Sequence, residues 1–307
     1  MLNFTLKQLR YVEAAGRLGS IARAAKEQSI SQSSITAAID SLETELGYSL
    51  FVRTPAKGIR TTPSGRESLH SIRSFIDQAR HFEGEIKSIG GDTTGALKIG
   101  CYATAAPAFL PPVLKGFTEK YPGISIKLLE GNMQTINEFL EDGKADLAFT
   151  YGQSVSEQQD FLPLFTAPPF ALIAVDNPLA NQSSVSMARL SKQPMVMLDL
   201  PRTRDYFTSL FQQYELTPNI VHTTRSSEIA RALVAGGFGF SILNILPTDY
   251  VKGKSRYAVI PISDKLQDQK FGLATLKTVY RPRIVQAFVN HCKDLTASGV
   301  FESLVVN

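Results

Sequence analysis

The chain has 307 residues, 43% of them apolar and 20% charged, with a net charge of +4, the composition of a globular protein long enough for two or more domains. It has no run of about eighteen apolar residues, and its start, MLNFTLKQLRYVEAAG, lacks the basic flank and apolar core of a secretory leader, which argues against a membrane span and against export. Cys101 and Cys292 are far apart and the four histidines show no ligand spacing, which argues against a disulfide scaffold and a metal site and fits a reducing cytoplasm.

The charge is unevenly spread. Residues 1–66 hold nine Lys/Arg against five Asp/Glu, a basic head on a balanced body, which suits attraction to phosphate at one end. Thr5 and Gln8 have capping-box spacing and open a first helix whose Leu6, Leu9, Val12 and Ala15 share one face. Residues 20–47, SIARAAKEQSISQSSITAAIDSLETELG, read as two helices around a tight turn, with Ser20 and Ser31 as N-caps, Gly47 as the stop, and Ala24 and Ala25 small enough for a close crossing. The second of these helices buries Ile35, Ile39, Leu42 and Leu46 at three- and four-residue spacing. Its other face starts with Gln32, Ser33, Ser34, Thr36 and Ala37, short hydrogen-bonding or small side chains of the kind that read a DNA major groove. Residues 49–53 are strand-like, and TPAKGIRTT then turns at Pro55 and Gly58, giving a two-stranded wing in which Arg53, Lys57 and Arg60 face phosphate or the minor groove.

Thr62 and Pro63 cap and open a helix that runs to about Ile89. Its stripe, Leu69, Ile72, Ile76, Ala79, Phe82, Ile86 and Ile89, is spaced 3-4-3-3-4-3, a heptad seam with one residue missing. Such a stripe serves either its own domain's core or a second chain. The position of the helix between a DNA-reading head and the Gly90-Gly91 hinge favours dimerisation.

Three segments, LRYVEAAGRLGSIARAA, then SQSSITAAIDSLETELGYSLFVRT, then TTPSG, resemble the signature of the LysR-type transcriptional regulators in order and spacing. The resemblance implies an α + α/β chain: an N-terminal winged helix-turn-helix over residues 1–62, a linker helix and hinge over 63–92, and a two-lobed periplasmic-binding-protein-like (type 2) effector domain over 93–307. It also implies double-stranded DNA and a small-molecule effector as partners, a homotetramer built as a dimer of dimers, RNA polymerase as a further partner, and no cofactor. Two departures stand out. Family members commonly have Pro-Ala where Ser33 and Ser34 stand, and a basic or polar residue where Ala37 stands, so the recognition helix is expected to be one contact short.

From Thr94 strands and helices alternate, the pattern of an α/β sandwich. Strands are expected at 97–101, 124–129, 146–150, 170–175, 195–198, 219–222, 239–242 and 271–276. Helices are expected through Phe109–Phe117 and at 133–140, 205–213, 226–235 and 282–297. Lobe I then covers about 93–167 and 271–307, and lobe II about 168–270. Ligands in open α/β sheets sit beyond the strand C-terminal ends. That rule nominates Tyr102, Ala103, Thr104, Asn132, Thr150, Asp199, Arg202, Thr203, Thr224 and Arg225 as the effector site. The alternative for each loop residue is solvated surface. Arg202 or Arg225 pairing with a carboxylate would make the effector an organic anion, and an effector that prefers closed lobes would alter DNA bending.

No GxSxG, HExxH or Walker motif occurs, and the Gly236-Gly237-Phe238-Gly239 turn precedes a strand, unlike a nucleotide cradle, so an enzyme is not expected. A cytoplasmic solute-binding protein would lack the DNA-reading head. A redox sensor would need a low-pKa Cys101, whereas the bland reading is a buried, inert thiol.

Overall fold

A computed structural model describes residues 3–54, 58–88, 95–277 and 281–306. Two compact units emerge, the first over residues 1–91 with 141–143 and the second over 92–140 and 144–307.

The first unit begins with three capped helices. Helix α1 (Leu6–Leu18) opens with a full capping box, in which Gln8 N–H donates to Thr5 Oγ1 at 3.1 Å and Thr5 N–H to Gln8 Oε1 at 2.8 Å. Helices α2 (Ile21–Gln28) and α3 (Gln32–Leu46) are capped by the Ser20 and Ser31 hydroxyls, and α3 ends at Gly47 in the left-handed conformation. Val12, Ala15, Ala24 and Ile35 meet with no exposed surface, so the alanines do bring the helices close. Strands β1 (Phe51–Thr54) and β2 (Gly58–Thr61) form the antiparallel wing. Its entry is held by Glu43 of α3, whose carboxylate accepts the N–H groups of Leu50 and Phe51 at 2.6 and 3.0 Å. Thr62 caps α4 (Pro63–Ser88) by accepting from Gly65 N–H at 2.8 Å, and donates to Ser49 O at 2.8 Å. The apolar stripe of α4 divides. Leu69 and Ile72 are buried in the head's own core with Ile76 packed beside them, whereas Phe82 and Ile86 are 63% and 52% exposed. Ile89 lies outside the described residues.

The second unit has two lobes. Lobe I is a five-stranded sheet in the order β4-β3-β5-β12-β6, made of β3 (Gly95–Tyr102), β4 (Ile124–Gly131), β5 (Leu147–Tyr151), β6 (Gln159–Ala167) and β12 (Gln269–Leu276). Strand β3 pairs parallel with β4 and β5, and β12 pairs antiparallel with β5 and β6. Helices α5 (Ala106–Lys120), α6 (Met133–Glu141) and α10 (Arg283–Ala297) belong to this lobe. Phe109, Phe149, Phe117, Phe288 and Phe271 pack ring to ring in its core, with neighbouring centroids 4.6 Å apart for Phe109–Phe149 and 4.8 Å for Phe117–Phe288. Lobe II comprises β7 (Phe170–Ala174), β8 (Pro194–Leu198), β9 (Asn219–Thr224), β10 (Ser241–Leu243) and β11 (Tyr257–Pro261), with α7 (Met187–Leu190), α8 (Thr203–Gln212) and α9 (Ser227–Ala235). A bridge between Met195 and Phe240 joins the β8-β9 pair to the β10-β7-β11 sheet.

The chain crosses between lobes twice, from β6 to β7 and from β11 to β12. Asn244 Nδ2 donates to the first crossing at Ala167 O, 2.8 Å away. Strands β6 and β11 and the short helix α7 fall outside the expected set, and the other strands and α-helices of this unit begin and end within two or three residues of expectation.

Candidate DNA-reading face and effector cavity

In α3 the buried positions Ile35, Ala38, Ile39 and Leu42 line one side, which turns Gln32, Ser33 and Ala37 fully outward and leaves Thr36 half-exposed. Ser34 is exposed as well. The Ser33 and Ser34 hydroxyls each lie 2.8 Å from Ser31 Oγ, so in the free chain both are engaged within the first turn. Gln32 and Thr36 are therefore the long and short hydrogen-bonding side chains left presented outward. On the wing, Arg60 is exposed and Arg53 forms an ion pair with Asp40 of α3. That ion pair places the Arg53 guanidinium beside α3. Lys57 lies outside the described residues.

Between the lobes is a partly open cavity of about 30 Å³. Tyr102, Tyr151, Tyr206 and Phe207 form its aromatic walls, Met133, Leu198 and Ile245 are apolar, and Thr203, Ser227, Asn244, Gln153 and Gln269 offer hydrogen bonds. Two side-chain contacts tie the lobes together beside the cavity, in addition to Asn244 on Ala167 O and Leu246 N–H on Leu304 O. Tyr102 OH and Thr203 Oγ1 are 2.9 Å apart, and Arg202 Nη1 donates to Ser154 O at 3.2 Å. Burial raises the Tyr102 phenol, and raises Tyr151 well above the ordinary tyrosine value, so both remain neutral donors at physiological pH. Tyr206 is anchored by Asn244 Nδ2 at 3.1 Å and donates to Gln267 O at 3.4 Å.

Of the residues nominated from the sequence, Tyr102, Thr104 and Thr203 line this cavity and the others do not. Ala103 is exposed, its N–H donating to Gly131 O. Asn132 caps α6, accepting from Gln134 and Thr135 N–H, and Thr150 is buried against Ser154 Oγ. Asp199 pairs with Arg204 at 3.1 Å, Thr224 accepts from Ser226 N–H, and Arg225 is exposed. Arg202 stands at φ 63°, left-handed, and spends its guanidinium on the opposite lobe. The cation in the wall is Arg231 on α9, one turn beyond Ser227. Reading only strand ends misses it. The signal was the i, i+4 polar pair on a helix whose Ala230 and Val234 face the core.

Neither thiol has a reactive environment. Burial pushes Cys101 up to about 11 and Cys292 up to about 12, and Cys101 Sγ faces Leu129 O at 3.7 Å. Among the described residues no group of three or more His, Cys, Asp or Glu is placed to hold a metal, and no helix is long and apolar enough to cross a membrane.

A winged helix-turn-helix unit followed by a two-lobed α/β unit with a cavity between its lobes defines a class, that of regulators with separate DNA-binding and effector-binding domains. The family model for the bacterial regulatory helix-turn-helix protein, lysR family, matches residues 6–66, and that for the LysR substrate binding domain matches residues 90–297. The chain belongs to the LysR family of transcriptional regulators, proteins that bind DNA and are not enzymes. A RuBisCO operon transcriptional regulator from Allochromatium vinosum is 29% identical over 246 residues, 80% of each chain. The solved structure of HinK, a LysR family transcriptional regulator from Pseudomonas aeruginosa, is 30% identical with a TM-score of 0.63, covering 96% of this chain and 99% of that one. Full-length CbnR complexed with its target DNA, at 21% identity and a TM-score of 0.57 over 95% of this chain and 100% of that one, shares the fold.

Proposed function

We propose that this regulator reads double-stranded DNA through Gln32, Ser33, Ser34, Thr36 and Ala37 of α3, holds phosphate or minor groove with Arg53, Lys57 and Arg60, and responds to a small organic anion bound between its lobes. The observation that carries the reading is the face of α3. One side is buried in the head's core, and the opposite side presents short polar groups at the helix N-terminal end, the geometry of a major-groove reader. Residues 1–62 act as the reading head, 63–92 join two chains, and 93–307 receive the effector, with lobe I about 93–167 and 271–307 and lobe II about 168–270. The uncovered Phe82 and Ile86 support pairing through α4, and the family pattern supports a cytoplasmic dimer of dimers that also meets RNA polymerase.

The cleft supports the anion because Arg231 is the one formal charge among its described lining residues, surrounded by aromatic and amide groups. At about 30 Å³ the cavity holds roughly one water, so an organic effector enters only as the lobes part from this arrangement. Parting breaks the Tyr102–Thr203 and Arg202–Ser154 bridges, so the effector favours parted lobes, the reverse of the closed-lobe preference expected from the sequence, and its affinity differs between the two arrangements. A coupling of about 1–3 kcal/mol between cleft and head then changes the DNA bend.

The test is titration of the full chain against duplex from its own promoter at increasing salt. Log affinity is expected to fall linearly with log salt, by about 0.9 per phosphate contacted, and Thr36→Ala to weaken promoter duplex more than scrambled duplex. Salt-insensitive affinity, or equal losses on both duplexes, would overturn base reading by α3.

A further inference from the structure

The one formal charge among the cleft's described lining residues is shared with a second cavity. Arg231 also lines an open concavity of about 460 Å³ on lobe II, together with Glu228, Asp249, Lys254 and Arg256. Its Nη2 stands 3.6 Å from Asp249 Oδ1, too far for a hydrogen bond, and the Asp249 side chain is 61% exposed. The Nε atom of Arg231 is buried and has no hydrogen-bond partner. A guanidinium offers five N–H groups in a planar fork that matches a carboxylate two bonds at a time. Here that fork is weakly held by one exposed carboxylate and has a buried donor to spare.

We propose that Arg231 is the effector's anchor, that it selects a monocarboxylate with a compact apolar body, and that the incoming carboxylate replaces Asp249 as its partner. The inference rests on the reading of the inter-lobe cleft as the effector site. One cation in the wall matches one carboxylate, since a second buried negative charge would have no partner. Tyr102, Tyr151, Tyr206 and Phe207 set the apolar body, and Asn244 and Gln269 add discrimination through hydrogen bonds. The exchange carries the signal outward. Asp249 Oδ1 also faces Tyr257 OH at 3.4 Å, and Tyr257 stacks on Tyr250 with centroids 5.7 Å apart, so withdrawal of Arg231 loosens the end of segment 249–257 on the outer side of lobe II. Lys254 and Arg256, exposed in the same concavity, then supply the cations nearest to Asp249.

The full chain is heated with acetate or benzoate, with acetamide or benzamide as neutral counterparts, ionic strength being matched with chloride. Wild type is expected to gain apparent stability from a carboxylate and not from its amide. Arg231→Gln is expected to lose about tenfold or more in apparent affinity for that carboxylate, and Asp249→Asn to gain a few-fold because the competing partner is gone. Carboxylates that stabilise neither wild type nor Asp249→Asn would overturn the organic-anion reading and this inference together. Equal stabilisation of wild type and Arg231→Gln would overturn the anchor alone and leave the cleft reading standing. Wild-type affinity in Asp249→Asn would overturn the exchange, and because Asp249 is a surface residue this variant keeps the test decisive if Arg231→Gln does not fold.

Discussion

A Cβ on Gly65 would lie 2.0 Å from the carbonyl oxygen of Leu50, where no side chain fits without moving backbone. The residue sits in the first turn of α4, and its N–H is bound by Thr62 Oγ1, so helix start, wing entry and glycine form one joint. Gly65→Ala is expected to destabilise the head by about 1–3 kcal/mol through overpacking, read as a lower unfolding midpoint with reduced DNA affinity. An unchanged midpoint would mean that the joint yields freely. A second glycine, Gly58, has φ 80° and faces Gly19 O, the same carbonyl that accepts Ile59 N–H at 3.2 Å. The wing is thus tied to the end of α1, and Arg60 projects from a fixed strand. At the cleft the decisive residue is Arg231. Arg202, which sequence position favoured, is committed to Ser154 O from a left-handed backbone conformation.

Among the elements, α4 carries two kinds of apolar surface in one stripe. Leu69 and Ile72 serve the head, while Phe82 and Ile86 are 63% and 52% exposed, as is Phe75, outside the stripe, at 50%. Replacing Phe82 by Glu removes no packing within the head, so the head should stay folded while self-association weakens by about tenfold or more in sedimentation. Unaltered association would transfer the interface elsewhere. The stripe's spacing was legible in the sequence, but its division was not, because periodicity states that a face is apolar without stating what covers it. Helices α1 to α3 were legible for a stronger reason: caps, stop residues and buried face agree at every level. Strand β6 was not, since Pro163 interrupts it; it survives as an edge strand with a register shift opposite Phe271 and Gly272. Strand β11 is short and also lies at a sheet edge. The hold of Glu43 on the wing joins positions seven and eight residues apart across a turn, and no local pattern announces it.

At the scale of the whole molecule, each unit presents a function that the other lacks. The head carries the basic surplus and the outward polar face of α3, and the two-lobed unit holds a small, partly open cavity with one cation among its described lining residues. The strand-end rule located the cleft and three of its residues, Tyr102, Thr104 and Thr203, because chain topology dictates where strand ends gather. It missed Arg231 because a side chain from the middle of a helix reaches the same space by packing, which sequence order does not encode, and it passed over Asn244 although that residue directly follows β10. The central claim is sequence-specific DNA reading by paired heads. Selection of random duplexes by the full chain tests it most directly. The expected result is enrichment of inverted half-sites whose centres lie about one or more helical turns apart, with the enrichment lost in Thr36→Ala. Recovery of unenriched sequence by the wild-type protein would contradict the account.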